Sequence, residues 1–128
     1  MSKFAYILTG GALGAALRYG VSLIVFRETG GSFPWGTLVV NVMGSFVAGF
    51  VWAYLNQTTG SARMQAFLII GVMGAFTTFS AYSIESVRLF ESGSVNLAIA
   101  NVLSNNLGAI LSAFAGIALA KWMFPQAA

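Results

Sequence analysis

The sequence predicts an all-α membrane protein with four transmembrane helices per subunit. Of its 128 residues, 58% are hydrophobic and only 7% are charged, whereas a soluble domain carries about 25% charged residues. Four apolar stretches also reach the roughly 20 residues needed to cross a bilayer core of ~30 Å. We therefore expect a single four-helix transmembrane domain over residues 1–128, in a multi-pass protein of the cell (inner) membrane, surrounded by the lipid bilayer.

The four predicted spans occupy residues 4–26, 35–55, 64–90 and 95–124. Polar joins containing Gly, Ser or Pro separate them at residues 27–34, 56–61 and 91–94. Aromatic side chains that favour the headgroup layer lie near the span ends, at Trp35, Trp52, Tyr54 and Trp122. Their positions support these boundaries.

The side-chain inventory excludes several kinds of function. The chain has no Cys and no His, which removes thiol redox chemistry, disulfides and imidazole catalysis. We therefore expect no enzyme activity and no catalytic residue. The six cations are scattered singly and form no basic patch, so no nucleic-acid partner is expected.

Lys and Arg are nearly balanced between the two sides of the membrane. The side holding both predicted termini carries Lys3, Arg63 and Lys121, and the opposite side carries Arg27 and Arg88, with Arg18 nearer to it. Because cytoplasmic loops normally hold the excess of these residues, so small a difference fixes no direction. Either the chain inserts in both orientations, or one early charge decides its topology.

Small residues recur four apart along the first, second and fourth helices, where they let backbones approach closely. The tracks are Gly10-x-x-x-Gly14, Ala12-x-x-x-Ala16, Gly44-x-x-x-Ala48 and Gly108-x-x-x-Ser112-x-x-x-Gly116. Four helices are few for enclosing a selective path, so we expect an oligomer. Each track fits either a contact between subunits or packing within one subunit.

Polar side chains inside a span are costly in lipid and indicate a site by default. Asn41 can donate two hydrogen bonds to an anion, or it can bond to a neighbouring helix. Asn105 and Asn106 point roughly 100° apart, so at most one faces a path. Arg18 fits a positive vestibule for anions, or it snorkels to the interface or pairs with Glu85 or Glu91.

The third span combines glycines, paired threonines and aromatic residues. Gly71, Gly74 and the Thr77-Thr78 pair weaken a helix, so a break in mid-membrane is expected, and its exposed carbonyls suit a hard cation such as sodium. Phe79 and Tyr82 share a helical face, which fits either core packing or a pore.

Two serines and one acidic residue extend this polar segment. Ser80 and Ser83 favour the pore interpretation for the aromatic pair, because a purely apolar core has little use for hydroxyls. Glu85 is expected to pair with Arg88, three residues later on the same helix.

The chain resembles the Fluc (CrcB) fluoride channel family along its whole length. The residues that carry the resemblance are Gly10-Gly11, Leu17-Arg18-Tyr19, the segments 36–41 and 74–85, and Asn105 three before Gly108. The resemblance implies an antiparallel dual-topology homodimer with two fluoride pathways. It also implies a structural sodium ion at the subunit interface.

The resemblance also implies roles for single residues. Asn41 lines the pore, Phe79 and Tyr82 present ring edges to the ion, and the pathway continues along Ser80, Ser83, Asn105 and Ser112. Arg18 belongs to the vestibule, and the backbone carbonyls of Gly74 and Thr77 hold the sodium. Three positions depart from the family pattern: Tyr82 replaces a Phe, Ala81 replaces a Thr, and Ala75 replaces a Gly.

The sequence thus favours a passive, fluoride-selective channel that exports fluoride and protects the cell from its toxicity. The alternative is a small dual-topology proton-coupled drug or cation transporter. Such a carrier needs a titratable carboxylate in the membrane, for which Glu85 is the candidate. A third hypothesis, a non-conducting membrane scaffold, predicts that apolar residues can replace the polar ones without loss of function.

Overall fold

A computed structural model describes residues 2–58 and 60–125, and every regular element within these ranges is helical. The elements are α1 (Lys3–Thr29), α2 (Trp35–Gln57), α3 (Ala62–Gln65), a π-helical segment (Ala66–Met73), α4 (Gly74–Phe76), α5 (Phe79–Glu91) and α6 (Val95–Met123). Four stretches are long and apolar enough to cross a membrane: Lys3–Thr29, Trp35–Gln57, Ala62–Glu91 and Val95–Met123. They confirm the four predicted spans.

Helix ends coincide with the polar joins of the sequence. The Ser61 hydroxyl accepts a hydrogen bond from the Met64 N–H at 3.2 Å and so caps the start of the third span. Gly30 ends α1 with φ of +71°, and Gly93 lies in the α5–α6 turn with φ of +80°. A side chain would be strained at these two angles, so glycine sets the points where the chain reverses.

Close backbone contacts hold α1 against the π-helical segment. A β-carbon at Gly10 would clash with the Phe67 carbonyl oxygen, and one at Gly14 would clash with the Val72 carbonyl oxygen. Likewise, α2 packs extensively against α6, where a β-carbon at Gly116 would clash with the Phe46 carbonyl oxygen. These glycines of the small-residue tracks therefore pack against other helices of the same subunit.

The third span is interrupted in its middle. Thr77 (φ −81°, ψ 158°) and Thr78 (φ −150°, ψ 118°) are extended, and they separate α4 from α5. The predicted break is therefore confirmed. The eight-residue π-helical segment before it was not predicted, because a run of apolar residues such as Ala66–Met73 has the same composition in either helix type.

Most large apolar side chains of the spans remain exposed on the single subunit. The fully buried set consists of small or medium side chains, among them Val40, Ala66 and Ala120, whereas the side chains of Leu111, Phe114 and Trp122 are largely exposed. Exposed large apolar side chains in such number mark a membrane or protein contact. The subunit thus presents a surface suited to lipid and to another protein chain.

Candidate functional site

Asn41 of α2 holds the extended backbone at the break of the third span. Its Oδ1 accepts a hydrogen bond from the Thr78 N–H at 2.8 Å, and its Nδ2 donates to the Thr78 carbonyl oxygen at 3.1 Å. The amide orientation is fixed, because an N–H only donates and a carbonyl only accepts. The Asn41 side chain therefore forms hydrogen bonds with both the N–H and the carbonyl of Thr78, which the break leaves without helical partners.

A directional chain of hydrogen bonds continues from Asn41 into α6 and back to α5. Asn41 Nδ2 donates to Asn105 Oδ1 at 2.8 Å, and Asn105 Nδ2 donates to Asn101 Oδ1 at 2.8 Å. Asn101 Nδ2 then donates to the Ser86 hydroxyl at 2.9 Å, which donates to the Tyr82 carbonyl at 2.8 Å. We call the side chains of Asn41, Asn105, Asn101 and Ser86 the amide chain. It connects α2, α6 and α5 around the break.

The same contacts release two backbone carbonyls from helical bonding. In a continuous helix the Thr78 N–H would reach the Gly74 carbonyl, but it donates to Asn41 Oδ1 instead. The Ala81 N–H would reach the Thr77 carbonyl, but it donates to the Thr78 hydroxyl at 3.2 Å. The carbonyls of Gly74 and Thr77 are thus available as oxygen ligands, which is the donor type that hard cations prefer.

An open groove of about 220 Å³ runs beside the break. Its lining includes Asn41 and Ser45 from α2, Thr77 and Thr78 from the break, Phe79 and Tyr82 from α5, and Asn105, Asn106, Ala109 and Ile110 from α6. The structure thus brings together four residues of the predicted fluoride pathway: Asn41, Phe79, Tyr82 and Asn105.

The two aromatic rings of the groove form an edge-to-face pair. The centroids of Phe79 and Tyr82 are 5.2 Å apart and their planes make an angle of 66°. Phe79 is 76% exposed on the single subunit, so it is not a core residue there. The Tyr82 hydroxyl, which a Phe would lack, accepts a hydrogen bond from Asn106 Nδ2 at 2.9 Å.

The other residues predicted for the pathway and the vestibule, namely Ser80, Ser83, Ser112 and Arg18, lie outside the groove lining. Ser83 donates to the Phe79 carbonyl at 2.8 Å, and Ser80 lies 3.4 Å from the Thr78 hydroxyl. Ser112 donates to the Val42 carbonyl at 2.7 Å and ties α6 to α2. Arg18 is partly exposed on α1. The roles of these residues toward an ion stay predictions.

Glu85 has a different partner from the one expected. Its Oε1 accepts a hydrogen bond from the Thr37 hydroxyl at 2.7 Å, and its Oε2 is buried without a hydrogen-bond partner among the described residues. Arg88 is exposed and donates no hydrogen bond to Glu85 among the described residues, so the direct partner of the carboxylate is Thr37 and not the expected Arg88. The reason is tertiary: α2 brings a hydroxyl to the carboxylate, whereas the guanidinium gains more from solvation at the surface.

Sequence reasoning missed three residues that the structure brings to the site. Asn101 is fully buried in the amide chain, Ser86 closes that chain, and Ser45 lines the groove. Two of them could have been predicted from their spacing in the sequence. Asn101 precedes Asn105 by four residues and Ser45 follows Asn41 by four, a spacing that puts each pair on one helical face.

The groove offers amide groups, hydroxyl groups and aromatic edges, and none of its lining residues carries a formal charge. Such a lining gives an ion several weak contacts instead of one strong one, which suits passage more than storage. With four spans and this groove at a broken helix, the chain belongs to the class of multi-pass membrane proteins.

The chain belongs to the CrcB family. Residues 5–117 match the family described as "CrcB-like protein, Camphor Resistance (CrcB)". A protein named "Fluoride-specific ion channel FluC" from Agrobacterium fabrum is 42% identical over 125 residues, covering 97% of this chain and all of the relative. Relatives of the same name from Rhizobium meliloti (42% over 124 residues, covering 96% and 99%) and Parabacteroides distasonis (41% over 121 residues, covering 94% of each chain) are equally similar.

Proposed function

We propose that the protein is a fluoride-selective channel that exports fluoride passively and protects the cell from fluoride toxicity. The observation that carries this proposal is the uncharged groove at the break, where Asn41, Phe79, Tyr82 and Asn105 meet. The relatives named as fluoride-specific ion channels support the choice of ion.

The physical basis is the replacement of water around a small, strongly hydrated anion. Hydroxyl protons and the positive edges of aromatic rings can take the place of water without adding a fixed charge. A buried Lys or Arg would bind the ion much more strongly, because Coulomb attraction grows several-fold at low effective dielectric. A donor-lined groove without a cation therefore favours flux over trapping.

We further propose that two chains form an antiparallel homodimer with dual topology. The groove is open on the single subunit, and the Phe79 ring is 76% exposed beside it. An aromatic edge that faces lipid could not contact an ion, whereas a second copy would close the groove. The nearly even distribution of cations between the two sides supports insertion in both orientations.

A structural sodium ion would fit at the break. The carbonyls of Gly74 and Thr77 have lost their helical donors to Asn41 and Thr78, and an unpaired carbonyl inside a membrane costs several kcal/mol by general estimates. Sodium would satisfy these oxygens at the subunit interface. It would stabilise the dimer without being transported.

The proton-coupled carrier is less well supported. Its candidate carboxylate, Glu85, accepts a hydrogen bond from Thr37 and lies outside the groove. Replacement of Glu85 by Gln would abolish proton-coupled export but leave a passive fluoride path in place. Loss of flux in this variant together with dependence on an imposed proton gradient would favour the carrier.

The decisive experiment uses liposomes that contain only the purified protein. We expect release of fluoride down its gradient without nucleotide or a pH gradient, while chloride stays inside. Empty liposomes are the control. Flux that needs an imposed proton gradient would refute the channel, and absence of any flux would favour the scaffold hypothesis.

A further inference from the structure

We propose that the Tyr82 hydroxyl is an anion ligand of the groove and that Asn106 orients it. In this proposal the phenolic O–H donates a hydrogen bond to fluoride, in addition to any contact with the ring edge. The inference rests on the proposed function and adds a specific ligand to it. Both side chains line the groove beside Phe79.

The orientation of Asn106 follows from its two partners. Its Nδ2 lies 2.7 Å from the Val102 carbonyl oxygen and 2.9 Å from the Tyr82 hydroxyl. A carbonyl only accepts, so the amide atom next to Val102 must be the nitrogen. The same nitrogen then donates its second hydrogen to Tyr82, whose oxygen accepts. The Tyr82 proton is left to donate elsewhere.

The amide hydrogens in the groove lining are already engaged. Asn41 Nδ2 donates to the Thr78 carbonyl and to Asn105 Oδ1, and Asn105 Nδ2 donates to the carbonyl and side-chain oxygens of Asn101. Asn106 Nδ2 has the two acceptors given above. Among the amide and phenol groups of the lining, only the Tyr82 proton has no acceptor in residues 2–58 and 60–125. An anion therefore meets Tyr82 without having to break an existing hydrogen bond.

Acceptance from Asn106 also makes the Tyr82 hydroxyl a better donor. A hydrogen bond accepted by an O–H group polarises it and strengthens the bond that it donates. A bond from a hydroxyl to an anion is shorter and about twice as strong as one between neutral groups. The Tyr82 hydroxyl thus gives the groove a donor that a Phe at this position would lack.

The test is fluoride efflux from liposomes containing the full chain, measured over a series of fluoride concentrations. Tyr82→Phe keeps the ring and removes only the hydroxyl. We expect the half-saturating fluoride concentration to rise about tenfold, as loss of one hydrogen bond to a charged group implies. Tyr54→Phe is the matched control, because Tyr54 packs against Phe124 outside the groove. It should leave this concentration unchanged.

A second variant tests the role of Asn106. Asn106→Ala should raise the half-saturating concentration in the parent background but have no further effect when combined with Tyr82→Phe. An additive effect in the double variant would refute the orienting role of Asn106. Gel filtration of each variant shows whether it assembles like the parent.

The experiment distinguishes failure of the Tyr82 role from failure of the channel function. If the parent protein passes fluoride and Tyr82→Phe has the same half-saturating concentration as the parent, the hydroxyl is not a ligand and the channel proposal stands. If the parent protein passes no fluoride, the proposed function itself is refuted, and this inference with it.

Discussion

Replacement of Asn41 by Ala is expected to lower the free energy of unfolding by about 2 kcal/mol. The change removes three hydrogen bonds: from the Thr78 N–H at 2.8 Å, to the Thr78 carbonyl at 3.1 Å, and to Asn105 at 2.8 Å. In a helical membrane protein such a bond contributes about 0.6 kcal/mol on average, so three of them give about 2 kcal/mol. The loss should exceed that of an ordinary interhelical bond because both polar groups of Thr78 lose their partner.

The measurement is reversible unfolding in mixed micelles with increasing SDS, followed by the fluorescence of the three tryptophans. Asn96→Ala is the matched control, because Asn96 is exposed on the same subunit. A substitution at such a surface position usually changes stability by less than about 0.5 kcal/mol. Equal stability of the Asn41→Ala and Asn96→Ala variants would show that Asn41 does not hold the break.

Asn41→Asp should be more damaging than Asn41→Ala in the same assay. A carboxylate oxygen in place of Nδ2 would face two acceptors, the Thr78 carbonyl at 3.1 Å and Asn105 Oδ1 at 2.8 Å. It would also place a negative charge in the path proposed for an anion, so fluoride flux should fall strongly. If Asn41→Asp unfolds and conducts like the parent, both arguments are wrong.

Three further predictions concern the path, the topology and the sodium ion. Phe79→Ile removes an exposed ring edge and should cut fluoride efflux strongly while the protein still assembles; parental efflux would place the path elsewhere. Two Lys added to the 56–61 join, or two added to the 27–33 join, should each fix one orientation and lose activity, whereas co-expression of both should restore it; full activity of either alone would argue against an antiparallel pair. Replacement of sodium by a large organic cation should slow efflux reversibly, because the carbonyls of Gly74 and Thr77 would lose the cation that they bind. Unchanged efflux in sodium-free solution would contradict the site.

Hydropathy and composition were sufficient to predict the four spans, because a helix satisfies its own backbone hydrogen bonds and needs a minimum apolar length to cross the membrane. The break was also predictable, since Gly74 and the Thr77-Thr78 pair weaken helical bonding within the chain's own neighbourhood. The family resemblance pointed to Asn41, Phe79, Tyr82 and Asn105, and the groove contains them all.

The sequence left the function of Asn41 open between an anion ligand and an interhelical hydrogen bond. In the tertiary structure Asn41 forms the interhelical hydrogen bonds. The acceptors for its Nδ2 are Thr78 in the break and Asn105 of α6, which are 37 and 64 residues away along the chain. The same limit explains why the hydrogen-bond partner of Glu85 was not predicted. Arg88 was near in sequence, but the Thr37 hydroxyl, 48 residues away, is the group that meets it in space.

The sequence by itself determined the helical class, the number of spans and the position of the break. These features depend on the apolar length of each stretch and on whether neighbouring residues favour helical hydrogen bonding of the backbone. Only the tertiary structure decided which polar atoms are already paired and which remain available. Asn41 and Asn105 have used their donors, whereas Tyr82 has kept its own. The physical reason is that a hydrogen bond depends on the distance and direction between two atoms, and helix packing brings together groups that are far apart along the chain.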